Sequence, residues 1–429
     1  MAVSSSDFPM QRTARWAIGL ICVAHFFSHF YMLLLPPLLP VIADAMQTSY
    51  TQLGFGITMF SLMTGLAQAP MGILVDRLGA GWVLIAGLTL EGLAFSLLGV
   101  WPVYGAFVLF MAVAGLGNAV YHPADYAILN EVARPERMGR AFSYHTASGH
   151  LGEALAPLTV LLLASVFGWQ QALFICGLLG VGVAAALYLR RDWLSSGNAG
   201  VATMRESAPA EREVTESATG TPVANPADAV MTRRQLLLSR PILMSVAFFI
   251  GLTLIGRGVT GFGVTALHEQ QGFSLTLAGT LISAWLFASP LGVLVGGRIA
   301  DGQGDLQKTI VACLLGIGAG IALLAWTTPG ILLSGILFAL CGFASGAIAP
   351  SRDMLIRSLT PAGQAGTVFG FVSTGFNLGG IIAPLLFGFL LDQGAANGVF
   401  WLVALASVLT VFTVIGVSGK PARQTSGAA

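Results

Sequence analysis

The chain has 429 residues, of which 55% are apolar and only 9% are charged, and its net charge is +1. Soluble globular proteins carry roughly 25% charged residues, so this composition excludes a globule whose whole surface faces water. The near-neutral balance leaves no basic footprint for nucleic acid. The 54 glycines suit helices that approach each other closely in lipid. Cys22, Cys176, Cys313 and Cys341 fall in apolar runs without a CxxC pair, which reads as small buried hydrophobes rather than disulfides or metal ligands.

In chain order, Arg12 and Arg15 precede an apolar run over 16–42, too long for a signal-peptide core and read as a retained first helix. Crossing the hydrocarbon takes about 20 apolar residues in a helix. Further runs predict spans at 51–75, 82–100, 103–130, 140–166 and 169–189. After a polar stretch come 241–268, 275–298, 308–327, 330–356, 365–391 and 397–418. None shows the alternation of a membrane barrel. Lys and Arg collect in every second connection, around Arg77, Arg134 to Arg140, Arg190 to Arg240, Lys308, Arg357 and Lys420. The connections between these hold none. By the positive-inside rule both termini and the central connection are cytoplasmic, in a multi-pass protein of the inner membrane. Residues 195–229 are rich in Ser, Ala, Thr, Glu and Pro, the composition of a disordered linker. The expected organisation is a cytoplasmic N-terminus at 1–15, six helices over 16–189, a linker at 190–240, six helices over 241–418 and a tail at 419–429.

The two sets of six repeat. Leu109-Phe110, Gly115 and Pro123 answer Leu337-Phe338, Gly342 and Pro350. Gly139, Phe142, Gly152 and Pro157 answer Gly366, Phe369, Gly379 and Pro384, at an offset near 227 residues. Gly72 to Asp76 answers Gly297 to Asp301 at an offset near 225. Two related six-helix halves are the parallel-repeat plan of one class of transporters. The fold class is therefore an all-α membrane protein of twelve transmembrane helices in two pseudo-symmetric bundles.

Gly72-Ile-Leu-Val-Asp-Arg-Leu-Gly79 resembles the loop signature of the major facilitator superfamily, with a weaker copy at Gly297 to Asp301. Ala80-Gly81 stand where basic residues usually follow. The resemblance implies that Asp76 and Arg77 belong to a cytoplasmic gate; the alternative is a solvated charge pair in a turn. Asp301 holds the corresponding place in the second copy. A narrower likeness, to the fosmidomycin-resistance branch, rests on His25 before Phe-Phe-Ser-His, on Tyr121-His122-Pro123 and on Gly149 to Leu158. The chain departs from that branch at His29, where an acidic residue is usual.

Ionisable groups near the centre of a bilayer cost roughly 2.5–3.5 kcal/mol each on insertion scales and persist where they face a partner or a pathway. His25 and His29 are four residues apart and share a helix face; His122 and Asp125 are three apart, as are His150 and Glu153. Depth along the helices sets His25, His29, His122, His150 and Glu153 at similar levels, with Tyr121 beside them. Spans one, four and five meet around the cavity in the resembled fold. The group reads as a proton-coupling or substrate cavity, since histidine titrates near neutrality; packed hydrogen-bonding histidines are the alternative. Asp125 could pair with Arg140 at the cytoplasmic mouth, and His145 reads as a gate or surface residue. Glu91 reads as internally paired. Arg257, between two glycines in the seventh span, is the candidate anion-binding residue, against an ion pair within the protein. Arg352, with Asp353, lies nearer the cytoplasm and is assigned to pairing or gating. Tyr31, Tyr121, Trp285 and Phe376 are candidate cavity aromatics.

No HExxH, GxSxG or Walker pattern is present, and the histidines lack metal-ligand spacing. No enzyme, metal or cofactor is expected. The partners expected are protons, lipid and a small solute, with a monomer carrying the whole pathway. The functional expectation is a proton-coupled secondary transporter working by alternating access. Export of a drug or anionic metabolite is preferred over uptake of an organic anion by symport. A non-transporting receptor or assembly protein is the remote alternative.

Overall fold

The computed structural model describes residues 7–133, 138–194, 233–302, 305–327, 329–360 and 365–416. Among these, twelve helices are long and apolar enough to cross a membrane: Arg15–Met46, Tyr50–Leu78, Ala80–Val100, Tyr104–Val132, Arg140–Phe167, Trp169–Leu189, Arg240–Gln271, Leu275–Asp301, Leu306–Thr327, Ile331–Ser358, Val368–Asp392 and Ala396–Gly416. They are numbered spans one to twelve below. The first helix begins earlier than composition suggested, at Asp7. The expected linker lies outside the described residues from 195 to 232, and the expected tail lies outside them too.

Two spans are interrupted. Span one stops at Met32 and resumes at Leu39 through a 3-10 turn at Pro36–Leu38, because adjacent prolines remove two backbone donors. Span four breaks between Asn118 and Tyr121. Such breaks are tolerated where the backbone is buried in protein. The outer faces carry exposed leucines and aromatics, among them Leu109, Leu162, Leu332 and Phe412, as hydrocarbon requires.

The internal repeat is visible as matching contacts. Gly115 of span four lies against the backbone of Phe60 in span two, and Gly342 of span ten against the backbone of Trp285 in span eight. Gly152 of span five packs on the backbone of Phe26 in span one, while Gly379 of span eleven packs on Thr253 of span seven. A β-carbon at any of these four positions would collide, so glycine is needed for the approach.

The halves meet through spans two with eleven and five with eight, and the contacts are one-sided. Let the terminus side be the one where span one begins and span twelve ends. On the far side, Asp392 accepts from the Tyr50 and Thr51 amides at 2.6 and 2.9 Å, and the Tyr50 hydroxyl donates to Glu269 at 2.7 Å. Deeper in, the Thr58 hydroxyl donates to the Ile381 carbonyl at 2.9 Å, and the Ser283 hydroxyl to the Ala154 carbonyl at 3.4 Å. On the terminus side, Asp76, Arg77 and Asp301 are exposed, and neither a hydrogen bond nor an ion pair joins the halves there among the described residues. The space between the halves therefore opens on the terminus side and is closed on the far side.

Asp392 supplies a full charge to the start of span two, whose N-terminus is already capped by Ser49 and Gln52. A carboxylate at a helix N-terminus contributes about 1 kcal/mol when largely exposed. Asp392→Asn should lower the far-side-closed population about fivefold relative to the open one. Pulsed-EPR distances between labels on the exposed Gln47 and Gln393 would show a new longer component. An unchanged distribution would mean that the cap does not hold the closure.

Candidate functional site

Three helices of the first half bring the polar residues together. His25 and His29 stand on one face of the helix Asp7–Met32, Asp125 on the helix Tyr121–Val132, and His145, His150 and Glu153 on the helix Met138–Phe167. The backbone at Gly149 lets spans one and five close up: a β-carbon there would meet the rings of His29 and His25 at 2.9 and 3.0 Å.

The cluster has two parts. In the accessible part, Glu153 receives both His29 Nδ1, at 2.9 Å from Oε1, and His150 Nδ1, at 3.4 Å from Oε2. These three side chains are 22–28% exposed, facing the space between the halves. In the closed part, Asp125 Oδ2 lies 3.1 Å from His25 Nδ1 and 2.9 Å from His145 Nε2. All three are buried, and the His25 and His145 rings stack at 3.6 Å. The two parts touch through His25 and His29, whose ring centres are 4.7 Å apart. His122 is exposed, with its ring centre 5.7 Å from that of His25.

A third set lies toward span three. Glu91 is fully buried and accepts from the Tyr121 hydroxyl at 2.8 Å and from Asn118 Nδ2 at 3.1 Å. Tyr121 is thereby turned to span three and does not line the cavity, because its hydroxyl satisfies a carboxyl that would otherwise be stranded. Trp285 is buried as well; Phe376 is exposed.

From the second half, Arg257 reaches into a small cavity that it shares with Tyr31, Leu35, Phe60 and Met111. It lies close enough to Glu153 to feel that carboxylate. Yet it is half-buried and has no hydrogen-bond or ion-pair partner among the described residues. Arg352 differs: its Nε donates to Asp353 at 2.8 Å, and its guanidinium lies 5.0 Å over the Phe249 ring and 5.3 Å over that of Phe376.

Several sequence expectations meet different geometry. Asp125 pairs with His25 and His145, not with Arg140, which is exposed and has no ion-pair partner among the described residues. Burial explains the choice: a carboxylate this deep is reached by residues facing inward on spans one and five, not by a side chain at a helix end. His145 is buried rather than at the surface. Its spacing with Gly149 and Gly152 was the available signal, since those glycines mark the face of span five that meets span one. Asp76, Arg77 and Asp301 are exposed and make no ion pair among the described residues, as the open terminus side requires.

Residues 21–301 and 246–428 match the family model of the Major Facilitator Superfamily. The fosmidomycin resistance protein of Escherichia coli K12 is 24% identical over 419 residues, covering 96% of each chain. The membrane sensor protein UhpC of Salmonella typhimurium is 24% identical, covering 85% of this chain and 82% of its own. Among solved structures, a bacterial homologue of the human lysosomal transporter Spinster, in an inward-facing and occupied conformation, matches with a TM-score of 0.70. It is 13% identical, with 94% of this chain and 96% of that one covered. The nucleoside transporter NupG matches at a TM-score of 0.71 and 16% identity, over 94% and 98% of the two chains. Family model and twelve-span architecture agree across the chain: it belongs to the Major Facilitator Superfamily, whose members are secondary transporters of small solutes.

Proposed function

We propose that this protein is a proton-coupled carrier of a small organic anion in the inner membrane, with its terminus side in the cytoplasm. The observation that carries the reading is Arg257: an arginine held at membrane depth, near Glu153 but with no hydrogen bond or ion pair among the described residues, is a costly arrangement unless a ligand completes it. A carboxylate or phosphonate would take two parallel hydrogen bonds from the guanidinium. The cavity beside Arg257, lined by Tyr31, Leu35, Phe60 and Met111, has a volume of about 20 Å³ and would have to widen as the halves move to take the apolar part of the solute.

Proton coupling is assigned to the accessible trio of His29, Glu153 and His150. An added proton there offsets the Glu153 charge that Arg257 feels and so strengthens the pull of Arg257 on an incoming anion. Binding of proton and anion then favour each other, and linkage makes the effect reciprocal. Alternating access follows from the one-sided contacts between the halves: closure on the terminus side would release the far side around the same site.

Export is the direction supported by the relative named as a fosmidomycin resistance protein. The charge arrangement favours a second reading, uptake with protons, because sites that fill together travel together. A relative named as a membrane sensor protein keeps a receptor role as a third reading, which substrate flux in proteoliposomes would remove.

Arg257→Ala should weaken binding of anionic solutes roughly 10- to 100-fold, the span expected for a lost charge-assisted hydrogen-bond pair. Melting curves with a panel of carboxylates and phosphonates at pH 6 would measure it. Equal affinity in wild type and variant would remove Arg257 from the site. Glu153→Gln should flatten the dependence of flux on an imposed pH gradient while the protein still binds solute. Flux with the wild-type pH dependence would end the coupling assignment.

A further inference from the structure

The closed part of the cluster is not used by the reading above. Asp125 is fully buried, and both imidazoles that face it converge on one oxygen, Oδ2. The other, Oδ1, is buried without any hydrogen-bond partner. No lysine or arginine reaches this carboxylate among the described residues. Nor can the two rings both become cations cheaply, because they stack with centres 3.6 Å apart and planes 24° from parallel. A purely hydrogen-bonded cluster therefore leaves a buried carboxylate with one bare oxygen and with neutral partners, which is expensive.

We propose that His25, Asp125 and His145 form a binding site for a divalent transition-metal ion of the zinc class. The ligand atoms, His25 Nδ1, His145 Nε2 and a carboxylate oxygen of Asp125, lie within 4.8 Å of one another. Tetrahedral zinc bonds of about 2.0–2.1 Å set ligand atoms about 3.3 Å apart. The separations of 2.9 and 3.1 Å to Asp125 need a few tenths of an ångström of opening, and the His25 and His145 rings, now stacked 3.6 Å apart, must splay by about 1.5 Å to aim both nitrogens at one ion. Two imidazoles and one carboxylate suit zinc, cobalt or nickel rather than calcium or magnesium, which prefer all-oxygen sets. The ion neutralises Asp125 and engages Oδ1 as a second carboxylate contact. His122, exposed with its ring centre 5.7 Å from that of His25, stands where an ion would enter. The sequence carries no metal motif because each ligand comes from a different span.

The test uses the full-length protein in detergent, stripped with a chelator and then titrated with Zn2+ and with Co2+. About one equivalent should bind in the presence of excess Mg2+, with Co2+ giving the visible absorption bands of a four-coordinate site. His145→Ala, and separately the isosteric Asp125→Asn, should weaken binding 100-fold or more and abolish those bands. His268→Ala, outside the cluster, should bind as wild type does. Melting and gel-filtration profiles of the stripped variants establish that they fold, and His25→Ala stands in for any that does not. Absence of stoichiometric binding, or binding that survives in folded His145→Ala and Asp125→Asn, overturns the site. Glu153→Gln and Arg257→Ala should leave metal binding intact, so this result is independent of the transport reading.

Discussion

Three carboxyl groups sit inside the membrane-spanning part of the first half, and the cost of burying them there organises what surrounds them. Glu91 is held by neutral donors, the Tyr121 hydroxyl and the Asn118 amide. Asp125 is held by two imidazoles, and Glu153 by two more. Accessibility rises in the same order, from fully buried Glu91 and Asp125 to Glu153 at about a quarter exposed. A buried carboxyl with only neutral donors is inert framework; one that shares two titratable rings and faces a cavity has the means to exchange protons. One chemical group thus meets three different environments by virtue of its neighbours.

The two halves share a backbone plan and divide the chemistry unequally. At the repeat offset, Gly379 answers Gly152 and Thr253 answers Phe26, and each pair makes the corresponding helix contact. The same offset sets Arg257 opposite Phe30, one residue from His29. Adjacent helical residues lie about 100° apart, so the guanidinium of span seven stands next to, and not on, the counterpart of the face that carries the imidazoles in span one. When the halves are brought together, a titratable anion faces a permanent cation. That pairing across the pseudo-symmetry axis is what gives the interface a polarity a small anion could sense.

The closure on the far side rests on directional polar contacts, with Asp392 at the start of span two and hydroxyl groups of Thr58 and Ser283 on facing carbonyls. Each is worth little alone, and such contacts can be exchanged for others without rebuilding a core. Glycine-to-backbone approaches occur within each half, as at Gly115 and Gly342, and also between the halves on the far side, where Gly54 meets the Pro384 carbonyl and Gly388 the Tyr50 carbonyl. Closure of the far side thus combines exchangeable polar contacts with close glycine packing, and rocking of the halves has to separate both.

By itself the sequence determined the membrane class, the number of crossings and the repeat, because each is a one-dimensional property: apolar run length, alternation of charged connections and a constant offset. It also singled out the ionisable residues inside the spans, since any such group in an apolar run stands out. What tertiary structure alone decided is how they pair. Asp125 joins His25 and His145 across three spans, Tyr121 turns to Glu91 rather than to the cavity, and Arg257 feels Glu153 without a hydrogen bond or ion pair among the described residues. Partner choice depends on which helix faces meet and on side-chain reach of about 3 Å. Helix rotation by one residue changes both, and no spacing along a single chain records that rotation.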